Sequence, residues 1–305
     1  MTITQIEYAM AVYQKRNFVE ASKYCHISQP TLSMQLKKLE EEIGFVLFDR
    51  SKSPMIVTEE GERFIEQAKT VLLEYKKLYQ REDKELKGEL IVGVIPTIAP
   101  FLIPLFLPHF AKQFPLITIR FKELQTHEII EALKRDEIHT GILATPLKEH
   151  SLIEKILYYE PFVPYISASH RLSKKQSIDP GEIDGEGLWL LEEGHCLRTQ
   201  ILKLCSLKRH SGQAVFSGGS LETLVRLVDQ NLGMTILPLL ALTYAKEKNI
   251  RKFSHDVPVR EVSLVTARNF YKENLINALE SSILDSLPEI LEIPKRKKMQ
   301  VLRPT

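Results

Sequence analysis

Two of the chain's three cysteines, Cys196 and Cys205, stand nine residues apart in Gly194-His195-Cys196-Leu197-Arg198-Thr199-Gln200-Ile201-Leu202-Lys203-Leu204-Cys205. Leu197, Ile201 and Leu204 fall at helical spacing, which predicts a short amphipathic helix. Nine helical residues put the two cysteines about 13.5 Å apart along the axis and two and a half turns around it. A disulfide needs Cα atoms within roughly 7 Å. Cys196 and Cys205 can therefore join only if the segment unwinds, so the stretch reads as a two-state switch. At the first turn of its helix Cys196 would meet the positive end of the dipole, with His195 or Arg198 adding to it, and a thiol there is expected to ionise easily.

The composition sets the surroundings. The 305 residues exceed one average core and suggest two or three units. A balance of 41 basic against 39 acidic residues names no partner by charge. The opening Met1-Thr2-Ile3-Thr4-Gln5 lacks the basic and apolar regions of a secretory leader, and no run reaches the roughly 18 apolar residues of a membrane span. A cytoplasmic protein without membrane attachment is expected. Three cysteines in a reducing compartment argue against permanent structural disulfides and for a transient one. No Cys-x-x-Cys or His-x-x-x-His spacing accompanies His195 and Cys196, so neither metal nor cofactor is expected. His109, His127, His170 and His210 read as surface or core residues.

The elements that would receive such a switch begin at the N-terminus. Ile3, Ile6, Ala9, Met10 and Tyr13 describe a first helix, and Phe18, Ala21, Ser22 and Cys25 a second. A turn at His26-Ile27-Ser28 leads to a third, with Ser28 as its cap and Pro30 just inside its start. Leu32, Leu36, Leu39 and Ile43 would face inward. Pro30, Thr31, Met34, Lys37 and Lys38 would point out, with Gln29, Ser33 and Gln35 on the flanks. Two short helices joined by a tight turn, the second polar outside, form the plan that lays a helix in the DNA major groove. Gln, Ser and Thr suit base edges and Lys suits phosphates. Charge lends little support, since residues 1–57 hold seven basic and six acidic side chains.

From Thr58 to about Lys84 the only Gly is Gly61 and there is no Pro. Phe64, Ala68, Val71, Tyr75 and Leu78 alternate spacings of four and three, a heptad seam that one copy cannot bury. A homodimer through this helix is expected, with its two reading heads on a two-fold axis over an inverted-repeat site in double-stranded DNA.

After Gly88 strands alternate with helices. Strands are expected at Glu89–Ile95, Ile117–Glu123, Thr140–Ala144, Phe162–Ser167, Leu188–Leu191, Met234–Leu237 and Val262–Ala267. Helices are expected at Pro100–Phe114, His127–Arg135, Leu221–Gln230 and Tyr271–Leu284. The alternation predicts an α/β fold with a largely parallel sheet, and ligands in such folds sit beyond the carboxyl ends of strands. Thr97, then Thr126 and His127, then Gly194-His195-Cys196 each follow a strand. The tail around Lys295-Arg296-Lys297-Lys298 reads as solvated and disordered.

Phe18 to Ala21, Ile27-Ser28-Gln29-Pro30-Thr31-Leu32-Ser33, Leu39-Glu40 to Gly44, Leu47-Phe48-Asp49-Arg50 and Thr58-Glu59-Glu60-Gly61 resemble, in order, the winged-helix signature of the LysR-type transcriptional regulators. The resemblance implies a winged helix-turn-helix domain over 1–57, with a wing from Val46 to Val57. It further implies a linker and dimerisation helix over 58–87, a two-lobed periplasmic-binding-protein-like effector domain over 88–293, and a basic tail over 294–305. It implies DNA contacts from Gln29, Pro30, Thr31, Ser33, Met34 and Lys37, with Arg50 on a phosphate. A homodimer, usually paired into a tetramer, and contact with RNA polymerase belong to the same implication.

The likeness extends further. Ile95-Pro96-Thr97, Gln125-Thr126-His127, Gly194-His195-Cys196-Leu197-Arg198, Cys205, Ser220-Leu221-Glu222-Thr223-Leu224 and Gly233-Met234-Thr235-Ile236-Leu237-Pro238 resemble the peroxide-sensing members of that family. This implies Cys196 as the thiol oxidised by hydrogen peroxide, Cys205 as the resolving thiol, and Thr97, Thr126 and His195 around the peroxide. Those regulators tend to carry Arg directly after the Ser-Leu-Glu-Thr-Leu run. Here Val225 intervenes, so the expected thiolate stabiliser, Arg226, is displaced by one residue, about 100° on a helix. The alternatives are a regulator that binds a metabolite between its lobes, and a thiol peroxidase. The winged-helix match argues for a regulator rather than an enzyme.

Overall fold

In the computed structural model, residues 1–50, 55–78, 86–205, 220–254, 257–268, 270, 273–291 and 299–304 are described. They fall into two compact units, the first built mainly on residues 1–85 and the second on the remainder.

The described residues of the first unit form four helices and a short hairpin. α1 (Ile3–Lys15) starts at Thr2, whose hydroxyl and the side chain of Gln5 cap each other's backbone N–H, a capping box. α2 (Phe18–Tyr24) starts on Asn17, whose side chain accepts from two backbone N–H groups. α3 (Gln29–Ile43) starts on Ser28 and stops at Gly44, where φ is +84°, a left-handed position that favours glycine. Leu32, Leu36 and Leu39 are fully buried against Ile6, Ala9, Val12 and Ala21. β1 (Phe48–Asp49) pairs antiparallel with β2 (Ile56–Val57); the expected wing residues 51–54 lie outside the described ones. α4 (Glu59–Lys77) follows. The remainder of the expected linker helix, 79–85, lies outside the described residues.

The second unit is built on one mixed sheet. β3 (Gly88–Val94) pairs parallel with β4 (Ile117–Glu123) and with β5 (Thr140–Thr145). α5 (Ala99–Gln113), with Pro100 in its first turn, and α6 (Thr126–Lys134) make the crossovers. β6 (Leu152–Ile166) is long: its first half pairs with β10 (Val257–Ala267) and its second half with β8 (Met234–Pro238), all antiparallel. β10 also pairs antiparallel with β5. The sheet is therefore not the largely parallel one expected. The chain returns through β10, which runs antiparallel to both β5 and β6, and β8 runs antiparallel to β6.

At Phe162 β6 enters a second core. Phe162, Tyr165, Leu190, Leu197, Ile201, Leu204, Leu224 and Ile236 share it, so that α7 (Cys196–Leu204) and α8 (Leu221–Asp229) pack over β8. β7 (Ser177–Ile178) and β9 (Lys252–Phe253) form a small parallel pair, and α9 (Glu273–Asp285) follows β10.

Two local expectations give way. Leu188–Leu191 is not a strand: Leu188 makes one isolated bridge to Met234, and the apolar run is explained by burial in the second core. The tail is ordered over its last described residues, where β11 (Met299–Val301) pairs parallel with Val257, Pro258 and Val259. Residues 295–298, the expected basic cluster, lie outside the described residues.

Candidate thiol site and DNA-facing surface

The helix between the two cysteines is present as the spacing requires. Cys196 is the first residue of α7, His195 its cap, and Cys205 its C-terminal cap residue. All three cysteines are free thiols, and Cys196 and Cys205 are buried. The switch is thus in its dithiol, wound form. Nine residues of α-helix hold the cysteines about 13.5 Å apart along the axis.

The thiol does not ionise as easily as its place in the helix suggested. Burial pushes Cys196 above the ordinary thiol value. Against burial stand, in order, the Arg260 guanidinium, the Thr126 hydroxyl and the backbone N–H groups of Leu197 and Cys196. The helix N-terminus contributes as expected, but desolvation of the charged form outweighs it. Cys205, surrounded by the apolar second core, is pushed up to about 12.

The cation that serves Cys196 is Arg260, on β10, a residue the sequence did not single out. It is 1% exposed, and directly across the antiparallel pair stands Glu160 of β6, 0% exposed. Arg260 Nε donates to Glu160 Oε2 at 2.8 Å, and Nη2 lies 2.7 Å from the same oxygen. The other Glu160 oxygen accepts from the backbone N–H of Leu240. On its far side Arg260 grips Thr97: Nη1 donates to Thr97 Oγ1 at 2.9 Å and Nη2 to the Thr97 carbonyl at 3.0 Å. One guanidinium thus joins the end of the β3 segment, the long strand β6 and the thiol. Arg260 is followed by Glu261, and β6 carries Glu154 and Lys155 besides Glu160, so nothing local marks the Arg260–Glu160 pair, which is tertiary.

Thr97 and Thr126 both reach this place. Thr97 is 1% exposed. Thr126 Oγ1 is buried with no well-aligned hydrogen-bond partner, and the Cys196 thiol, whose pKa it lowers, is within its hydrogen-bonding reach. A buried hydroxyl without a partner is costly unless something small and polar fills the gap. Gly194 brings the two loops together: its φ is +97°, and a Cβ there would stand 2.4 Å from Gln125 Oε1. His195 is 6% exposed. Burial lowers its pKa, against the opposing influence of Glu192 and then Glu123, so its imidazole is neutral at pH 7. His127 is exposed.

Arg226, the expected thiolate stabiliser, does not take that part. It is on the outside of α8, with Nε and Nη2 bonded to Glu222 Oε1 at 3.0 and 2.6 Å and its side chain 75% exposed. The intervening Val225 occupies the buried face. Arg198 donates to the Leu191 carbonyl. The one-residue displacement therefore turns Arg226 away, and Arg260 supplies the charge.

In the first unit, Gln29, Pro30, Met34, Lys37 and Lys38 are exposed along α3, while Thr31 and Ser33 are half-buried. Arg50 is partly committed: it pairs with Glu40 at 3.2 Å and its guanidinium lies 4.6 Å from the centre of the Phe18 ring. Of the expected seam, Val71 and Leu78 are 45% and 80% exposed, but Ala68 is 3% exposed within the unit's own core. Phe64 is half-buried and stacks edge-on against Phe45. Tyr75 is half-buried. Ala68 departs from the expected seam because α4 spends the stripe Ile65, Ala68, Leu72 on the core below it.

Fold and site together define a DNA-reading head joined to a ligand-binding module with a thiol at its centre. The model of the bacterial regulatory helix-turn-helix proteins of the lysR family matches residues 3–62, and that of the LysR substrate binding domain matches residues 83–288. The chain belongs to the LysR family of transcriptional regulators. It is 32% identical to the hydrogen peroxide-inducible genes activator of Haemophilus influenzae over 96% of this chain and 99% of that one. It is 34% identical to the dual regulator OxyR of Escherichia coli over 82% and 83% of the two chains. A full-length OxyR of Pseudomonas aeruginosa carrying a cysteine-to-aspartate substitution matches it with a TM-score of 0.80 at 33% identity, covering 97% and 99%. A hydrogen-peroxide-bound OxyR variant of Corynebacterium glutamicum matches with a TM-score of 0.62 at 27% identity, covering 93% and 92%. No helix of the described residues is long and apolar enough to cross a membrane.

Proposed function

We propose that the chain is a DNA-binding transcriptional regulator that senses hydrogen peroxide through reversible Cys196–Cys205 thiol/disulfide switching. The observation that carries this reading is the Cys196 thiol, buried beside Arg260 and a Thr126 hydroxyl that has no well-aligned partner, with Thr97 held on the same guanidinium. Hydrogen peroxide is small, neutral and able both to donate and to accept, which is what such a gap can take. Negative charge moves from sulfur to the departing oxygen during attack, and Arg260 is already fixed beside it, as electrostatic stabilisation requires.

The chemistry follows the thiol oxidation ladder. The Cys196 sulfur attacks one peroxide oxygen; the S–O bond forms, the O–O bond breaks, and hydroxide leaves to become water with the thiol proton. The Cys205 thiol then displaces the sulfenic hydroxyl as a second water, forming the disulfide. The wound helix cannot hold that bond, so α7 unwinds and the second unit repacks. Thr97, Thr126 and His195 are assigned to the peroxide, with neutral His195 able to accept or return a proton.

On this reading residues 1–57 read DNA, 58–87 form the dimerisation helix and 88–293 sense peroxide. Gln29, Pro30, Thr31, Ser33, Met34, Lys37 and Arg50 face an inverted-repeat site. Val71, Leu78, Phe64 and Tyr75 pair two copies, two dimers assemble into a tetramer, and the repacked form engages RNA polymerase in the cytoplasm. Peroxide treatment of the purified chain is expected to consume two thiols, leave a 196–205 linked peptide, and change the footprint on the DNA upstream of its gene. Cys196→Ser and Cys205→Ser should hold the reduced footprint. An unchanged response to peroxide without the linked peptide would overturn the reading.

A further inference from the structure

The switch helix carries one polar side chain that faces the core. Gln200, midway between the two cysteines, is 0% exposed. Its Nε2 donates to the backbone carbonyl of Leu302 at 2.6 Å, and its Oε1 is buried without a partner. An apolar residue would fill this position without that cost. What Gln200 adds is a tether to the end of the chain.

The end of the chain is in turn tied to the strand that holds Arg260. β11 pairs with Val257, Pro258 and Val259, and the Leu302 N–H donates to the Val259 carbonyl at 2.8 Å. Leu302 is 5% exposed and belongs to the same apolar cluster as Leu197, Ile201, Leu204 and Cys205. Residues 299–302 thus lie between the residue next to Arg260 and the middle of the helix that must unwind.

We propose that Gln200 and the C-terminal strand form a latch that keeps α7 wound, so that Gln200 is a positioning residue for the disulfide-forming step and residues 299–304 come free when Cys196 and Cys205 join. The peroxide arm of this inference rests on the proposed function above; the latch itself does not. Unwinding α7 withdraws the donor from the Leu302 carbonyl and breaks up the apolar cluster in which Leu302 is seated. The first oxidation, at Cys196, leaves the helix wound and does not strain the latch. The second step, in which Cys205 displaces the sulfenic hydroxyl as water, does.

Two forms of the full chain test this. Gln200→Met keeps the volume and removes the hydrogen bond, and a chain ending at Lys298 removes the strand. Both are linked by peroxide, and separately by diamide, which takes two electrons and two protons from the thiol pair and becomes the hydrazine. With either oxidant, linking is expected to be about three- to tenfold faster in Gln200→Met, the weight of one net hydrogen bond, and at least as much faster in the shortened chain. Trapping of the Cys196 sulfenic acid by dimedone should proceed at the unaltered rate. In the native chain, amide hydrogen exchange at Leu302 should accelerate once the disulfide is formed. Linking at native rates in both variants, or a Leu302 amide equally protected in the dithiol and disulfide forms, would overturn the latch. Faster linking by diamide in the variants, with no linked peptide from peroxide in any chain, would support the latch and overturn peroxide sensing. Should Gln200→Met not fold, the shortened chain carries the same measurements.

Discussion

Arg260 and Glu160 face each other across β10 and β6 as direct register partners, joined at 2.8 Å through Nε and at 2.7 Å through Nη2, both out of solvent. The pair fixes the guanidinium so that its other edge serves Thr97 and the Cys196 thiol.

Removing one partner leaves a buried charge alone. Arg260→Met is expected to destabilise the second unit by about 3–5 kcal/mol, and the Arg260→Met/Glu160→Met double variant by far less. Urea unfolding of the native chain, Arg260→Met and the double variant in reductant measures this. The double variant should nonetheless react with peroxide about 10²–10³-fold more slowly, because the charge that meets the developing anion is gone. A double variant as reactive as the native chain would remove Arg260 from the chemistry.

Thr126 offers the opposite combination. Its hydroxyl is buried with no well-aligned partner, so Thr126→Val should leave stability unchanged or raise it by about 1 kcal/mol. The rate of Cys196 oxidation should nevertheless fall about tenfold, since a group that positions the peroxide is lost. Loss of stability alongside unchanged reactivity would assign Thr126 to the fold alone.

What the sequence showed follows the range of the forces involved. The helix-turn-helix was legible because its caps, turn and Leu32-Leu36-Leu39 stripe are local. The unwinding required of Cys196 and Cys205 was legible because helix geometry alone decides it. Arg260 was not, because it stands ahead of the expected strand Val262–Ala267 and Glu160 ahead of the expected strand Phe162–Ser167, and only the register of β10 on β6 places the two opposite each other. Arg226 misled for a related reason: a family likeness fixed the residue type, and only the buried Val225 shows which face of α8 turns inward. The parallel sheet was misjudged because strand patterns carry no direction.

Burial of the thiols makes stability depend on alkaline pH. Cys205 titrates from an ordinary thiol value of 9.0 when unfolded to about 12 when folded. Its neutral form is favoured in the fold, so this stabilisation is complete below pH 9 and lost as pH rises toward 12. The loss is expected to approach about 1.4 kcal/mol per pH unit in that window. Urea midpoints in reductant at pH 8.5 and 10.5, compared with Cys205→Val, check it; equal slopes for the two chains would contradict the assignment.

His195 works at the other end of the scale. Burial holds its pKa below 6.5, so its contribution is present above that value and is lost as pH falls below it toward the folded value. His195→Gln should flatten the acid side of the stability profile while leaving the alkaline side, which belongs to the thiols, as it was. Amide exchange or urea midpoints between pH 7 and 5 report the difference.

Exposed residues of α4 and of the turn that follows it separate pairing from folding. Val71 and Leu78 are 45% and 80% exposed, whereas Ala68 is 3% exposed within its own unit. If two copies pair through this helix, Val71→Glu with Leu78→Glu should leave each chain folded. It should weaken the dimer by at least about 3 kcal/mol, more than a hundredfold in Kd, because apolar surface covered in the pair is replaced by charge. Ala68→Lys should instead unfold the first unit, since its ammonium would be buried without a partner. Sedimentation and far-ultraviolet circular dichroism distinguish the two: a monomer with native helicity for the first variant, lost helicity for the second. Binding to an inverted-repeat site should fall with the monomer, since two heads no longer share one duplex. A double-Glu chain that still sediments as a dimer would place the pairing surface elsewhere on the molecule.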